Sequence, residues 1–401
     1  MNSAVLRIVL LVSCAHALVH VYELTLPSTE QSIAAEFGVT QETTGLLGNV
    51  WRLPFGLGAL AAGWLADRHG SKPLLIVYLL GCATTALITW ATTEISLLFV
   101  TMFSMGCFAS IYHPAGLAII SRSTRPDQRP WALGLHGVFG SIGIASSPAL
   151  VGLALDQGLT WRDCYLWLTL PGVILAAVFY RLLVEQRSAP SSSSGASDVE
   201  IHEPEDKLHW IPFLILTTSG GLTGFVYAGM LQFLPRYLSD AWASLSIHQS
   251  IAPVVVGAWL ASGVLLIGVI GQLLAGWYVR GRSLERALAI VLAANVPFLI
   301  WMSQATGLAR IVSAGLLSLV LFMHQPVYNS LVAKYIPHDR RSVGYGFSNV
   351  LTFGFGSFGA GSMGFLLEQY GNASAYLALS LCAAIGTMLA TILAWHQHLK
   401  S

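Results

Sequence analysis

The stretch Gly63–Lys72 reads GWLADRHGSK. It places Asp67, Arg68 and Lys72 between two apolar runs, 43–66 and 73–92. Each run meets the requirement of a membrane helix, about 20 mostly apolar residues. Gly63 lets two helices approach closely. Asp67 is a carboxylate that can sit at the positive N-terminal end of another helix. Arg68 and Lys72 can pair across the same face.

Working outward, the apolar runs recur along the whole chain. Its 401 residues are 55% hydrophobic and 10% charged, against about 25% charged in soluble proteins. The expected fold is therefore an all-α polytopic membrane protein. A net charge of +1 gives no argument for nucleic acid. Cys14, Cys82, Cys107, Cys164 and Cys382 form no C-x-x-C pair and mostly lie in apolar runs. They read as small buried hydrophobes, with no disulfide framework and no zinc site.

Twelve spans are expected, at 4–27, 43–66, 73–92, 95–121, 130–155, 163–184, 209–235, 250–278, 284–303, 307–335, 342–367 and 372–396. The segment 185–207, EQRSAPSSSSGASDVEIHEPEDK, is Ser-rich and then acidic, and it reads as a flexible cytoplasmic linker. The chain thus divides into a six-helix half at 1–184, the linker at 185–207 and a second six-helix half at 208–401. Near the start, Ala15-His16-Ala17 imitates a signal-peptide cleavage site. The apolar run continues past it to Leu26, which suits a retained first span.

Basic residues set the orientation. With a cytoplasmic N-terminus, sixteen of the twenty Lys and Arg residues fall on the cytoplasmic side. Arg162, Arg236 and Arg310 fall outside, and Arg52 lies within a span. The expected location is the inner membrane, with both termini cytoplasmic and the protein a monomer in the lipid bilayer.

The halves repeat. A shift of 212 lays Pro114 on Pro326, Arg122 on Lys334, Asp127 on Asp339, Arg129 on Arg341, Gly134 on Gly346 and Gly152 on Gly364. A shift of 208 lays Leu26-Pro27 on Leu234-Pro235. Six helices duplicated in parallel orientation are a secondary-transporter architecture.

The loop GWLADRHGSK also resembles the loop motif of the major facilitator superfamily, G-x-L-a-D-r-x-G-r-k, at Gly63, Leu65, Asp67, Arg68, Gly70 and Lys72. That resemblance implies that Asp67 meets the start of span eleven, near Ser342. The matching C-half loop, GWYVRGRSLER from Gly276, has Arg280 where Asp67 would stand. In span five, Gly134, Gly143, Pro148 and Gly152 fit four positions of the superfamily's antiporter motif, while Ser147 and Val151 replace glycines. Small residues there allow tight packing and proline permits a bend. The resemblance favours export. The span-four arginine of many proton-driven exporters is Met102 here, so any proton must be held elsewhere. YHPAG at Tyr112–Gly116, RPDQR at Arg125–Arg129 and the His and Leu-Pro pattern of span one resemble the fosmidomycin-resistance-type drug exporters.

Ionisable residues inside spans are costly and usually face a cavity or a partner. His16, His20 and Glu23, spaced i, i+4, i+7, make one polar stripe within about 60° of helix face. In the superfamily span one lines the central cavity. The repeat places Gly224, Ala228 and Leu231 at the equivalent positions, so the scaffold does not need ions there. Arg52 on span two is the expected counter-charge for Glu23. His113, His136 and His324 lie deeper toward the cytoplasm, and histidine titrates near pH 6.5. Tyr227, Gln232 and Gln325 supply hydrogen-bonding groups from the C-half. An i, i+4 histidine pair with one carboxylate is a weak metal signal, and no metal or cofactor is expected.

The sequence-based expectation is a secondary active transporter working by alternating access. Its favoured activity is proton-coupled export, an antiport, of a small organic compound, anionic in keeping with Arg52. An importer of a small solute, a transporter of a metal ion or chelate, and a non-transporting membrane sensor or scaffold remain as alternatives. No nucleophile-base set points to an enzyme.

Overall fold

The computed structural model describes residues 3–125, 127–183, 209–245, 250–279, 281–336 and 341–399, and no β-strand occurs among them. The linker at 185–207, together with Arg280, lies outside the described residues.

In chain order the helices are α1 (Ser3–Phe37), α2 (Gln41–His69), α3 (Ser71–Trp90), α4 (Ile95–Ala109), α5 (Tyr112–Ser123), α6 (Arg129–Asp156) and α7 (Trp161–Leu182), then α8 (Trp210–Ala243), α9 (Pro253–Tyr278), α10 (Leu284–Gln304), α11 (Leu308–Tyr335), α12 (Arg341–Asn349) and α13 (Phe358–His398). A π-helical turn, Val350–Phe355, joins α12 to α13. Side chains cap several starts. Thr40 accepts from the Thr43 N–H at α2, Thr160 and Asp163 form a capping box at α7, and Ser283 caps α10.

Among the described residues, ten segments are long and apolar enough to cross a membrane. One of them, Gly344–His398, has 55 residues, about 80 Å of helix against a hydrocarbon core of about 30 Å. Gly371, at φ 75° and ψ −179°, breaks it into two. The helix α2, which carries Asn49 and Arg52 inside its length, stands outside the ten apolar segments. Adding it and dividing the long segment at Gly371 gives the twelve-helix, two-half fold.

The boundaries differ from expectation in instructive places. Span one was expected to end at Pro27, yet α1 continues to Phe37, and α8 likewise runs past Pro235 to Ala243. A proline deletes one helical hydrogen bond and leaves the carbonyl four residues earlier unmatched, but it need not end the helix. Span four is interrupted at Ser110–Ile111 between α4 and α5. Ser110 is the residue whose carbonyl would have received the missing N–H of Pro114, so the break falls where the ladder lacks its bond.

Each half has its own apolar core. One cluster consists of α1–α7 residues, among them Tyr22, Trp51, Tyr78, Tyr112 and Phe179. Two others belong to α8–α13, and one of these takes in Leu24, Ile144 and Ala145 from the first half. Across the halves α6 packs on α9, and α2 packs on α13 and the π turn. Trp64, Tyr180, Trp210, Trp277 and Trp395 are exposed on the bundle surface, as expected of aromatic side chains at a membrane boundary. Of the cysteines, all of them free, Cys107 departs from the expected burial and is exposed on α4.

Candidate functional site

The stripe on α1 points into the bundle. His16, His20 and Glu23 are all buried. The neighbouring helices bring two further imidazoles to it. The His136 ring of α6 stacks on His16 with centroids 4.0 Å apart, and the His113 ring of α5 stands edge-on to His16 at 5.2 Å and 5.7 Å from His20. Depth along each helix had separated these histidines in the sequence; the packing of α1 on α5 and α6 joins four of them. Gly140 makes the room. A Cβ there would lie 2.6 Å from His16 Nδ1.

Hydrogen bonds fix the stripe. His16 Nδ1 donates to the His136 carbonyl at 2.8 Å, and His20 Nδ1 lies 2.8 Å from Glu23 Oε2. The two Nε2 atoms stand 3.3 Å apart. Tyr112 donates to the Val12 carbonyl at 2.7 Å and lies 3.4 Å from His136 Nδ1. His16, His20 and His113 each offer one nitrogen, and these three atoms lie within 4.8 Å of one another.

Glu23 also meets Arg52. The Arg52 Nε donates to Glu23 Oε1 at 3.3 Å, and its Nη1 donates to Gln232 Oε1 at 3.4 Å. Gln232 belongs to α8, and its Nε2 donates to the Thr44 carbonyl of α2 at 3.1 Å. One buried guanidinium therefore touches both halves. Its Nη2, and the indole N–H of the neighbouring Trp51, are buried without a hydrogen-bond partner among the described residues. Tyr227, also on α8, is half-buried with its ring 6.1 Å from that of Phe322. The other two C-half candidates stand apart from this group. His324 packs on Tyr328 with rings 4.9 Å apart, and Gln325 accepts from Gln272 Nε2 at 2.8 Å. Gln272 in turn accepts from Ser141 of α6 at 2.5 Å, a second polar link between the halves.

One ion pair joining the halves was not marked by the sequence. Glu30 of α1, almost fully buried, accepts two hydrogen bonds from Arg236 of α8, from Nε at 2.8 Å and Nη2 at 2.9 Å, and a third from Thr44 Oγ1 at 2.7 Å. This fork ties the halves together at the end opposite Gly63–Lys72. Glu30 lay beyond the expected end of span one, so nothing in the apolar pattern marked it.

The loop motif is partly as expected. Gly70 has φ 90° and its N–H bonds the Ala66 carbonyl at 2.9 Å, closing α2 in a conformation that favours glycine. Asp67 pairs with Arg122 of α5 at 2.9 Å, the Arg68 guanidinium lies over the Trp64 ring, and Lys72 donates to the Tyr180 carbonyl at 2.9 Å. These contacts of Asp67, Arg68 and Lys72 stay within the first half. The expected Ser342 contact lies outside the described side chains. Gly63 is not tightly approached, since a Cβ there would meet Pro114 at an ordinary 3.7 Å. In α6, Gly143 lies against the Ala17 backbone, and a Cβ at Gly152 would stand 2.7 Å from the Trp259 ring. Gly134 has nothing within 4 Å of its Cβ position, so it does not serve packing. Pro148 lies inside the helix. Gly224, the counterpart of His16, faces the Thr352 carbonyl with no space for a side chain. The second half thus fills with backbone the place where the first half keeps an imidazole.

The sequence model of the Major Facilitator Superfamily matches residues 12–361, and the chain belongs to that family. Curated relatives include an uncharacterized transporter of Rickettsia felis, 24% identical over 61% of this chain and 59% of its own length. The puromycin resistance protein pur8 of Streptomyces alboniger is 31% identical over 42% of this chain and 32% of its own length. A probable sulfoacetate transporter, SauU of Cupriavidus necator, is 24% identical over 85% of this chain and 82% of its own. The matched region thus spans well under two thirds of the first two relatives. Among solved structures, the nucleoside transporter NupG superposes with a TM-score of 0.77 at 12% identity, covering 98% of this chain and 100% of that one. The inward-open xylose transporter XylE of E. coli gives 0.76 at 11% identity, with 96% and 95% covered. These likenesses show the fold.

Proposed function

We propose that the protein is a proton-coupled transporter of a small organic anion, held at Arg52 and passed across the membrane by rocking of the two halves. The observation that carries this reading is the Arg52 guanidinium. It is buried, shared between Glu23 and Gln232 of opposite halves, and its Nη2 has no hydrogen-bond partner among the described residues. A carboxylate or sulfonate fits such a donor set, because arginine presents parallel N–H groups to planar or trigonal anions. An anion arriving at Arg52 competes with Glu23 and biases the arrangement of the halves that share the arginine. Tyr227 and Gln232 line the C-half side of this anchor. His16, His20, His113 and His136 form its polar wall in the first half, and His324 and Gln325 stand for later contact in the second.

Export in exchange for protons is the direction taken here. Its support is the helix α6, where Gly143 and Gly152 pack against α1 and α9, and the relatives named for drug resistance. Uptake is the second reading; relatives named as probable transporters of sulfoacetate and of L-galactonate support an organic anion in either direction. Basic residues at the Gly63–Lys72 end support a cytoplasmic placement of that end, and the reading is completed by an inner-membrane location and a monomer. Everted and right-side-out vesicles separate the readings. Proton-driven accumulation of an organic anion in everted vesicles, collapsing with a protonophore, supports export. Accumulation only in right-side-out vesicles means uptake, and no substrate-dependent proton movement in either orientation rejects coupling.

A further inference from the structure

We infer that His16, His20 and His113 form a binding site for a divalent transition metal of the zinc class. A carbonyl only accepts, so His16 Nδ1, 2.8 Å from the His136 oxygen, carries the hydrogen. Glu23, paired with Arg52, is likewise an acceptor for His20 Nδ1 at 2.8 Å. In the neutral form each ring turns its Nε2 lone pair outward, and the two Nε2 atoms face each other at 3.3 Å. Nitrogens so placed share one cation, either a proton held between them or a metal ion bound to both.

The separation suits a metal. Zinc–imidazole bonds are about 2.0–2.1 Å, and two nitrogens on a tetrahedral ion then stand about 3.3–3.4 Å apart. Residues i and i+4 of one helix supply that pair from a rigid element. The third ligand comes from α5, where His113 Nε2 is buried without a hydrogen-bond partner among the described residues. One nitrogen from each of the three lies within 4.8 Å of the others, so binding requires His113 to move toward the α1 pair.

The surroundings are those of a metal site as well. Metal-bound histidines usually donate their other N–H to a carbonyl or a carboxylate. Here the His136 carbonyl and the Glu23 carboxylate fill those places. An all-imidazole set suits zinc, nickel, copper or iron and does not suit the oxygen-seeking magnesium or calcium. The ion would join α1 to α5 in the first half, one hydrogen-bonded imidazole from Glu23.

The test is a titration of the purified full-length protein in detergent with cobalt(II) alone, read by the visible absorption of four-coordinate cobalt. The wild type is expected to take up the ion stoichiometrically and to release it to zinc. His16→Gln and His113→Gln should each weaken binding more than about 100-fold, and the double variant Glu23→Gln/Arg52→Gln, which removes the orienting partner without leaving Arg52 unpaired, about 10–100-fold. His209→Gln, at an exposed position just ahead of α8, should bind as the wild type does. Failure of the wild type to develop the cobalt spectrum overturns the site, as does unchanged binding by His113→Gln. The readout is independent of transport, so loss of the Arg52 reading would leave it standing.

Discussion

Arg52 bonds Glu23 through Nε at 3.3 Å and Gln232 through Nη1 at 3.4 Å, so a single buried side chain spans the interface between the halves. Removing one member of a buried ion pair strands the other in a poor solvent, at a cost of about 3–5 kcal/mol. Arg52→Gln should therefore lower the melting temperature in detergent and abolish transport. The double variant Arg52→Gln/Glu23→Gln, which leaves no unpaired charge, should regain much of the stability and none of the transport. A double variant that transports would make the pair structural.

The Glu30–Arg236 fork should hold the end opposite Gly63–Lys72 closed. Hydrogen bonds to charged groups contribute about 1.5–3 kcal/mol each, so losing one shifts an open-to-closed ratio about tenfold or more. Spin labels on Thr40→Cys and Tyr370→Cys, both exposed at that end, report the change. Adding Arg236→Gln should populate longer distances. An unaltered distribution would mean that the α2–α13 packing alone closes this end.

Gly140 and Gly134 should respond oppositely to alanine. At Gly140 the added methyl meets the His16 ring, and overpacking costs about 1–3 kcal/mol. Transport should fall with the loss of the His16–His136 bond. At Gly134 nothing lies within 4 Å, and exchange of an interior helical glycine for alanine should stabilise by about 0.5–1 kcal/mol. Thermal melts of the two single variants check both signs.

The glycine at position 70 is fixed by backbone geometry. Its φ of 90° is disfavoured for any side chain, so Gly70→Ala should destabilise by about 1 kcal/mol or more. Asp67→Asn should do less to stability, because its pair with Arg122 is exposed and such pairs contribute about 1 kcal/mol at most. A larger effect of Asp67→Asn on transport rate than on melting would tie the motif to movement of the halves.

What the sequence made legible was what depends on one helix at a time. Apolar length gave the spans, basic residues the expected orientation, and i, i+4, i+7 spacing the shared face of His16, His20 and Glu23. The Arg52–Glu23 proximity could be estimated too, since depth along two adjacent helices follows from residue count. Arrangements that need a third helix were not legible. His113 and His136 join the stripe only because α5 and α6 rotate those side chains toward α1, and Gly140 reads as one glycine among many until His16 is seen against it. The Glu30–Arg236 fork was hidden because α1 continues helically through Pro27, which a local rule takes as an end. The π turn at Val350–Phe355 likewise answers to tertiary contact, with Gly354 against α2 and Gly356 against α8.

The central claim is that Arg52 holds an organic anion in a proton-coupled transporter. Its direct measurement is movement of labelled small organic acids, sulfoacetate and L-galactonate among them, in proteoliposomes under an imposed pH gradient. The account predicts gradient-dependent accumulation of at least one acid by the wild type, lost in Arg52→Gln protein reconstituted at equal density. Accumulation that ignores the gradient, or that persists undiminished in Arg52→Gln, would contradict it.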